Sequence, residues 1–307
     1  MRFRKMKILE SAHKVKQIHT GVSRDEKYHM REEFFLRIFD LEQMAQKERE
    51  FQFMKKLFKE GIPIAKPIKI GECDGKGYVK TAWIKGKTFS KVIEKLSEDE
   101  MYEVGLEMGQ HLKNIHRVGL NKKKDSWVLR YNERYDRFLL RVEKKAVAFP
   151  KLGLVTEFFE KHKHLLEHRP QTFLHNDFGA HNFIMSEAGM KIIDFNNFTF
   201  GDPWYDFRYI VPKYDRRNEN FTSYFSTGCV HGYFNLSCNE NPPQAFWDLL
   251  ALYTVIQRIE SCTYVAKDEK IKQSRVDYLE YCMMIYDDLQ QTIPKWYQNT
   301  MAKLQEK

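Results

Sequence analysis

The segment Phe173 to Asp194 constrains the chain more than any other part of it. Short apolar runs end at Leu174 and resume at Phe183, and between them lies the polar loop His175-Asn176-Asp177-Phe178-Gly179-Ala180-His181-Asn182. A turn at Glu187-Ala188-Gly189 then leads into Lys191-Ile192-Ile193-Asp194-Phe195. Apolar residues anchor both ends of the loop. The pattern therefore predicts that His175, Asp177 and Asn182 are held at one sheet edge while Asp194 emerges from the paired strand beside them.

The rest of the chain organises around this segment. Phe34 to Phe39 has the aromatic and β-branched content of a buried strand, and Asp40 is a good helix N-cap. Leu41, Met44, Phe51, Met54, Leu57 and Phe58 then follow a helical period, and Gly61 stands where a glycine ends a helix. Pro67–Ile70 and Gly77–Ile84 flank Asp74-Gly75-Lys76-Gly77, the pattern of an antiparallel hairpin. Lys85-Gly86-Lys87 reads as a hinge. Beyond it Ser97-Glu98-Asp99-Glu100 forms a capping box ahead of the stripe Met101, Val104, Met108, Leu112 and Ile115. Residues 126–168 and 244–292 are also periodic like helices. The expected architecture is α+β, a small N-terminal lobe over 1–86 and a larger, mainly helical lobe over 87–307.

Composition removes several classes. At 42% apolar and 14% aromatic the chain is too rich in core-formers for disorder. Its most apolar stretch, Leu249 to Ile256, is far short of the ~20 residues that cross a bilayer, and Met1 to Lys7 lacks a signal-peptide core, so no membrane partner and a cytoplasmic location are expected. Five cysteines without a Cys-x-x-Cys pair point to free thiols rather than a zinc site. The net charge of +9 is uneven: residues 1–200 carry 39 Lys and Arg against 28 Asp and Glu, residues 201–307 12 against 14. An anionic partner for the first part follows, but the triplet Lys122-Lys123-Lys124 stands outside any nucleic-acid-binding motif, and no nucleic-acid partner is expected.

The loop residues suit phosphoryl transfer. That chemistry needs a carboxylate to orient a substrate hydroxyl and accept its proton, and oxygen ligands for a Mg²⁺ that bridges nucleotide phosphates. Asp177 fits the first role, Asn182 and Asp194 the second. Taken singly, each is also an ordinary turn former.

His175-x-Asp177-x-x-x-x-Asn182 followed by Ile193-Asp194-Phe195 resembles the catalytic signature of the aminoglycoside phosphotransferases and their choline, fructosamine and homoserine kinase relatives. The resemblance runs from about Gly21 to Asp206 and includes Gly201-Asp202-Pro203-Trp204-Tyr205-Asp206. It implies a two-lobed protein-kinase-like fold, with Asp177 as catalytic base, Asn182 and Asp194 as Mg²⁺ ligands, and His175 as a loop-stabilising residue. His181 becomes a candidate substrate contact. Arg37 stands where the family usually has a phosphate-binding lysine, and Glu50 on the following helix would hold it; the alternatives are a solvated edge-strand charge and a surface acid. Ser23, in Thr20-Gly21-Val22-Ser23, would belong to the nucleotide-covering turn. Trp83 and Ile84 would lie beside the adenine, with core packing as the alternative for Trp83. Asp202 and Asp206 read as structural caps ahead of an aromatic turn.

The implied function is Mg²⁺-dependent transfer of the γ-phosphate of ATP or GTP to the hydroxyl of a small molecule. Asp194-Phe195-Asn196 reaches Gly201 too soon for a protein-kinase activation segment. An antibiotic-resistance enzyme and a housekeeping kinase of an amino alcohol, sugar or fructosamine are both compatible, and the slight acidity of residues 201–307 accommodates a cationic acceptor. A nucleotide-binding regulator without turnover is the alternative of another class. Tyr131, Arg134, Tyr135, Trp204, Tyr253 and Glu260 are candidates for facing the acceptor, with core packing as the alternative for the aromatics.

Overall fold

A computed structural model describes residues 14–19, 25–30, 33–120, 127–144, 149–212, 222–265 and 269–306. Ser23, with Thr20 to Val22, and the lysines 122–124 lie outside the described residues. In chain order the first elements are β1 (Val15–Ile18), β2 (Glu26–Met30), β3 (Phe34–Asp40), α1 (Met44–Lys59), β4 (Pro67–Cys73), β5 (Lys76–Ala82), β6 (Lys87–Thr88) and α2 (Glu98–Val118). Next come α3 (Trp127–Lys144), α4 (Leu152–His162), β7 (Thr172–Leu174), β8 (Phe183–Ser186), β9 (Gly189–Ile192) and β10 (Thr199–Gly201). The chain closes with α5 (Ser223–Phe234), α6 (Gln244–Cys262), α7 (Glu269–Ile285) and α8 (Lys295–Gln305). One compact unit holds the described residues up to Val92 together with Ala180–Phe198; the other holds Ile93–Gly179 and the described residues from Thr199 onward. Among the described residues no helix is long and apolar enough to cross a membrane.

In the first unit an antiparallel sheet runs in the order β1-β2-β3-β5-β4, so β3 is its central strand. Leu36, Ile38, Met30 and Tyr78 form a core on it. The β4–β5 hairpin closes on Asp74 and Gly75, both at positive φ (50° and 74°), the backbone of a two-residue type I′ turn. Helix α1 ends at Gly61 (φ 78°), with Ile62 N–H on Leu57 C=O and Gly61 N–H on Phe58 C=O, a Schellman cap. Asp40 departs from expectation. It precedes a 3₁₀ turn, Leu41–Gln43, without capping it, because Lys76 across the β3–β5 ladder takes its carboxylate.

The loop's flanking strands also depart from the expected single sheet edge. β8 and β9 pair as predicted and continue to β6 in a three-stranded sheet of the first unit, tied down where Ile192 N–H donates to Pro63 C=O at 2.8 Å. β7 instead pairs with β10 in the second unit. Three-residue strands carry too little pattern to specify a partner, and tertiary packing decides.

In the second unit the Ser97–Glu100 capping box is formed, with Ser97 N–H on Glu100 Oε2 at 2.8 Å and Glu100 N–H on Ser97 Oγ at 3.2 Å. Helices α2 and α5 approach so closely that their glycines touch backbone: a Cβ at Gly228 would collide with the Tyr102 carbonyl and one at Gly109 with the Cys229 carbonyl. Helix α6 is buried along most of its length, including Trp247, Leu250, Tyr253 and Ile256.

Candidate active site

Three cations and three acids gather in the first unit. Arg37, on the central strand, is only 8% exposed, which removes the edge-strand reading. Its Nη2 donates to Asp194 Oδ1 at 3.1 Å, and its Nε lies 3.9 Å from Asp25 Oδ2. Lys47, buried on α1, reaches Asp25 Oδ2 at 3.4 Å, Glu50 Oε2 at 3.5 Å and the Asn196 carboxamide oxygen. Glu50 is therefore buried rather than a surface acid, and its ion pair is with Lys47; the acids paired with Arg37 are Asp194 and Asp25. Burial raises the Glu50 carboxyl above its ordinary pKa, against the pull of Lys47 and Arg37. Lys27 stands opposite Arg37 in the β2–β3 register, and burial, with the Arg37 charge beside it, lowers its ammonium. The i, i+3 spacing of Lys47 and Glu50 was legible in the sequence; the roles of Lys47, Lys27 and Asp25 were not read.

Asp194, two residues past the end of β9, sits in the left-handed region (φ 65°, ψ 65°), which is uncommon outside glycine and costs backbone energy. Asn182, buried on the 3₁₀ turn Ala180–Asn182, accepts the Ile193 N–H on its carbonyl at 2.9 Å, so the two predicted metal ligands belong to one hydrogen-bonded segment of the same unit. Trp83 and Ile84 line a cavity of about 940 Å³ with Ile64, Ala82, Val92 and Met185. That size takes a nucleotide-sized ligand, and Lys66, Lys85, Lys87 and Lys191 also border it. Trp83 stacks on His29 with ring centroids 3.7 Å apart, and its backbone N–H donates to Glu33 C=O at 2.6 Å.

The loop residues up to Gly179 belong to the second unit and are held there by Asp206. This carboxylate, fully buried, accepts the His175 N–H at 2.9 Å, the Asn176 N–H at 2.7 Å and His116 Nε2–H at 3.1 Å. Burial would raise the Asp206 carboxyl, but the hydrogen bond and charge of His116, with His175 and Arg208, hold it below its ordinary pKa. Asn176 takes φ 62° and accepts from Arg208 on its side chain. Asp177 follows, partly exposed, with Gly179 N–H on its carbonyl at 2.9 Å. His175 is wholly buried and His181 exposed. The cap reading of Asp202 stands: its carboxylate accepts Trp204 N–H, both Arg169 nitrogens at 2.7 and 2.9 Å, and the Tyr253 hydroxyl. Asp206 has the larger task, and its separation from the loop by some thirty residues hid it.

Of the residues expected to face an acceptor, Tyr131, Tyr135 and Tyr253 are core, packed with Trp127, Tyr205 and Phe159. Trp204 is covered by the Arg169 guanidinium, 3.6 Å from its ring. Arg134 and Glu260 are paired with each other.

A sequence profile described as the phosphotransferase enzyme family matches residues 14–245. No curated protein matches the chain. Among solved structures, the ADP-bound aminoglycoside phosphotransferase APH(2'')-Ib is 17% identical, with a TM-score of 0.62 over 90% of this chain and 96% of that one. The GDP complex of wild-type aminoglycoside 2'-phosphotransferase-IIIa is 14% identical, with a TM-score of 0.64 over 89% and 93%. A choline/ethanolamine kinase family protein from Mesorhizobium loti is 14% identical, with a TM-score of 0.63 over 92% and 93%. At such identities the likeness is one of fold, and the fold is kinase-like, with a small antiparallel sheet in the N-terminal part and a mainly helical C-terminal part.

Proposed function

The chain belongs to the phosphotransferase enzyme family, and from that membership we propose that it is a Mg²⁺-dependent kinase of small hydroxyl-bearing molecules, with ATP or GTP as phosphate donor. The observation that carries the reading is the Arg37–Asp194 contact in the same unit as the Trp83–Ile84 cavity: one compact unit holds a buried cation paired with a carboxylate at positive φ and also has room for a nucleotide.

In this reading the acceptor hydroxyl oxygen attacks the γ-phosphorus and the bond from phosphorus to the β,γ-bridging oxygen breaks. The hydroxyl proton passes to the Asp177 carboxylate, leaving a nucleoside diphosphate and a phosphate ester. The Arg37 guanidinium presents a planar fork to phosphate oxygens, and its burial strengthens that attraction. Asn182 and Asp194 would hold Mg²⁺; one amide oxygen and one carboxylate are a donor set this ion takes from protein when phosphates and water complete its shell. The ion supplies neutralisation of phosphate charge when bound. Asp206 and His116 fix the backbone leading into Asp177, so the base is presented from a rigid segment.

The test is Mg²⁺-dependent ATP and GTP consumption against aminoglycosides, choline, homoserine, fructosamines and sugars, with Asp177→Ala as the blank. Acceptor-stimulated turnover is expected in the wild type and should fall by at least ~100-fold in the variant while ADP still binds. Equal turnover in the two proteins removes Asp177 as the base. Tight nucleotide binding with no acceptor-stimulated turnover favours a regulator.

A further inference from the structure

Helix α3 carries Arg130, Arg134, Arg137 and Arg141 at spacings of four, three and four, a single stripe beside the buried stripe of Trp127, Tyr131, Tyr135, Phe138 and Val142. Two of these arginines converge on one acid. Arg134 Nη2 donates to Glu260 Oε2 at 2.5 Å and Arg141 Nη1 to Glu260 Oε1 at 3.0 Å. Arg141 also donates to the Tyr264 hydroxyl at 3.0 Å. The Glu260 side chain is 8% exposed, those of Arg134 and Arg141 31% and 38%. The carboxylate thus lies beneath and the guanidinium groups reach the surface, with one positive charge in excess of the acid that orients them.

Through Arg134 this pair adjoins the network that holds the loop before Asp177. Arg134 lies 5.5 Å from the Tyr205 ring and Arg208 3.4 Å from the same ring, and Arg208 donates to the Asn176 side chain. The other buried carboxylates of the network are already matched: Asp202 by Arg169 and Asp206 by His116. An ammonium-bearing acceptor would meet arginines there, and its charges would be repelled. An anion would meet two oriented forks, each with five N–H donors; Glu260 engages one guanidinium nitrogen on each arginine, and the Tyr264 hydroxyl adds a contact on Arg141.

We infer that the acceptor carries an anionic group, a carboxylate or a phosphate ester, bound by Arg134 and Arg141, with Glu260 as the residue that positions both. The inference rests on the kinase reading and replaces the cationic acceptor that the charge balance of residues 201–307 accommodates.

The experiment uses the full chain with Mg²⁺ and ADP, titrated with D-glycerate, D-gluconate and glycerol 3-phosphate and, for contrast, kanamycin and choline, followed by calorimetry and thermal shift. At least one anionic probe is expected to bind and the two cations to bind at least ~10-fold more weakly. Arg141→Ala should weaken the anion by about 10-fold or more, the loss of one charge-assisted hydrogen bond, and Arg141→Lys by less. Glycerate and gluconate against glycerol 3-phosphate distinguishes carboxylate from phosphate. Preference for kanamycin or choline, failure of every anionic probe, or unchanged anion affinity in Arg141→Ala overturns the inference. The ADP-induced thermal shift separates the causes: its absence from the wild type counts against the kinase reading itself, and its retention in the variants shows that they are folded.

Discussion

Replacing Asp206 by Asn changes one heavy atom and removes one charge at the anchor of the loop that carries Asp177. The carboxylate accepts two backbone N–H groups, from His175 and Asn176, and one imidazole N–H, from His116, in a fully buried site. An amide keeps one oxygen and turns an NH₂ toward a second donor. One charge-assisted hydrogen bond is lost, about 1.5–3 kcal/mol, and one buried donor is stranded, about 1–3 kcal/mol. The sum, about 2.5–6 kcal/mol, brackets the cost of breaking a buried ion pair, about 3–5 kcal/mol. Guanidinium unfolding at pH 7 should show this loss, together with slower turnover because Asp177 follows the freed backbone. The pH dependence has a definite sign. The folded Asp206 carboxyl lies below its unfolded value of about 3.9, so its contribution is present above that pH and disappears as pH falls through the lowered folded value. The wild type should lose this increment in acid and the variant should have none to lose. A destabilisation below about 1 kcal/mol with wild-type turnover would refute the anchoring role.

Other perturbations probe separate parts of the molecule. Gly228→Ala drives a methyl into the Tyr102 carbonyl and should cost roughly 1–3 kcal/mol in denaturant melts, whereas Gly153→Ala, with no atom within 4 Å of the added carbon, should change stability by under about 1 kcal/mol; equal effects would dismiss close approach of α2 and α5 as the cause. Arg37→Ala should weaken Mg²⁺–ADP binding by about 10-fold or more, with Arg37→Lys between the two, and calorimetry giving equal affinities for all three would exclude the phosphate contact. His231, whose nitrogens meet the Tyr102 and Tyr297 hydroxyls, is pushed down to about 4 by burial. The unfolded chain binds the extra proton below about 6.5, so stability should decline from there toward pH 4, and His231→Gln should flatten that part of the profile of midpoint against pH; an identical profile in the variant would count against it.

Much of the local structure around the candidate site was legible because its determinants are local. The spacing of Asp177, Asn182 and Asp194 is a property of one short segment, as are the Ser97–Glu100 capping box, the Asp74-Gly75 turn and the Gly61 cap. What was misread depended on distance along the chain. Asp40 has every local qualification for an N-cap, yet Lys76, thirty-six residues away, takes it. Tyr131, Tyr135 and Tyr253 lie at helix positions that admit either binding surface or, more often, core, and their neighbours on other helices decide for core.

The sequence by itself thus determined many of the local elements and where the candidate residues stand in them, since a turn, a cap or a strand answers to side chains within a few positions. Tertiary structure alone decided the long-range pairings: Arg37 with Asp194, Lys47 with Asp25, Asp206 beneath the loop, Glu260 between two arginines. Charge pairs form between whichever groups the packed chain brings within a few ångströms after desolvating them, and residue spacing carries no record of that distance.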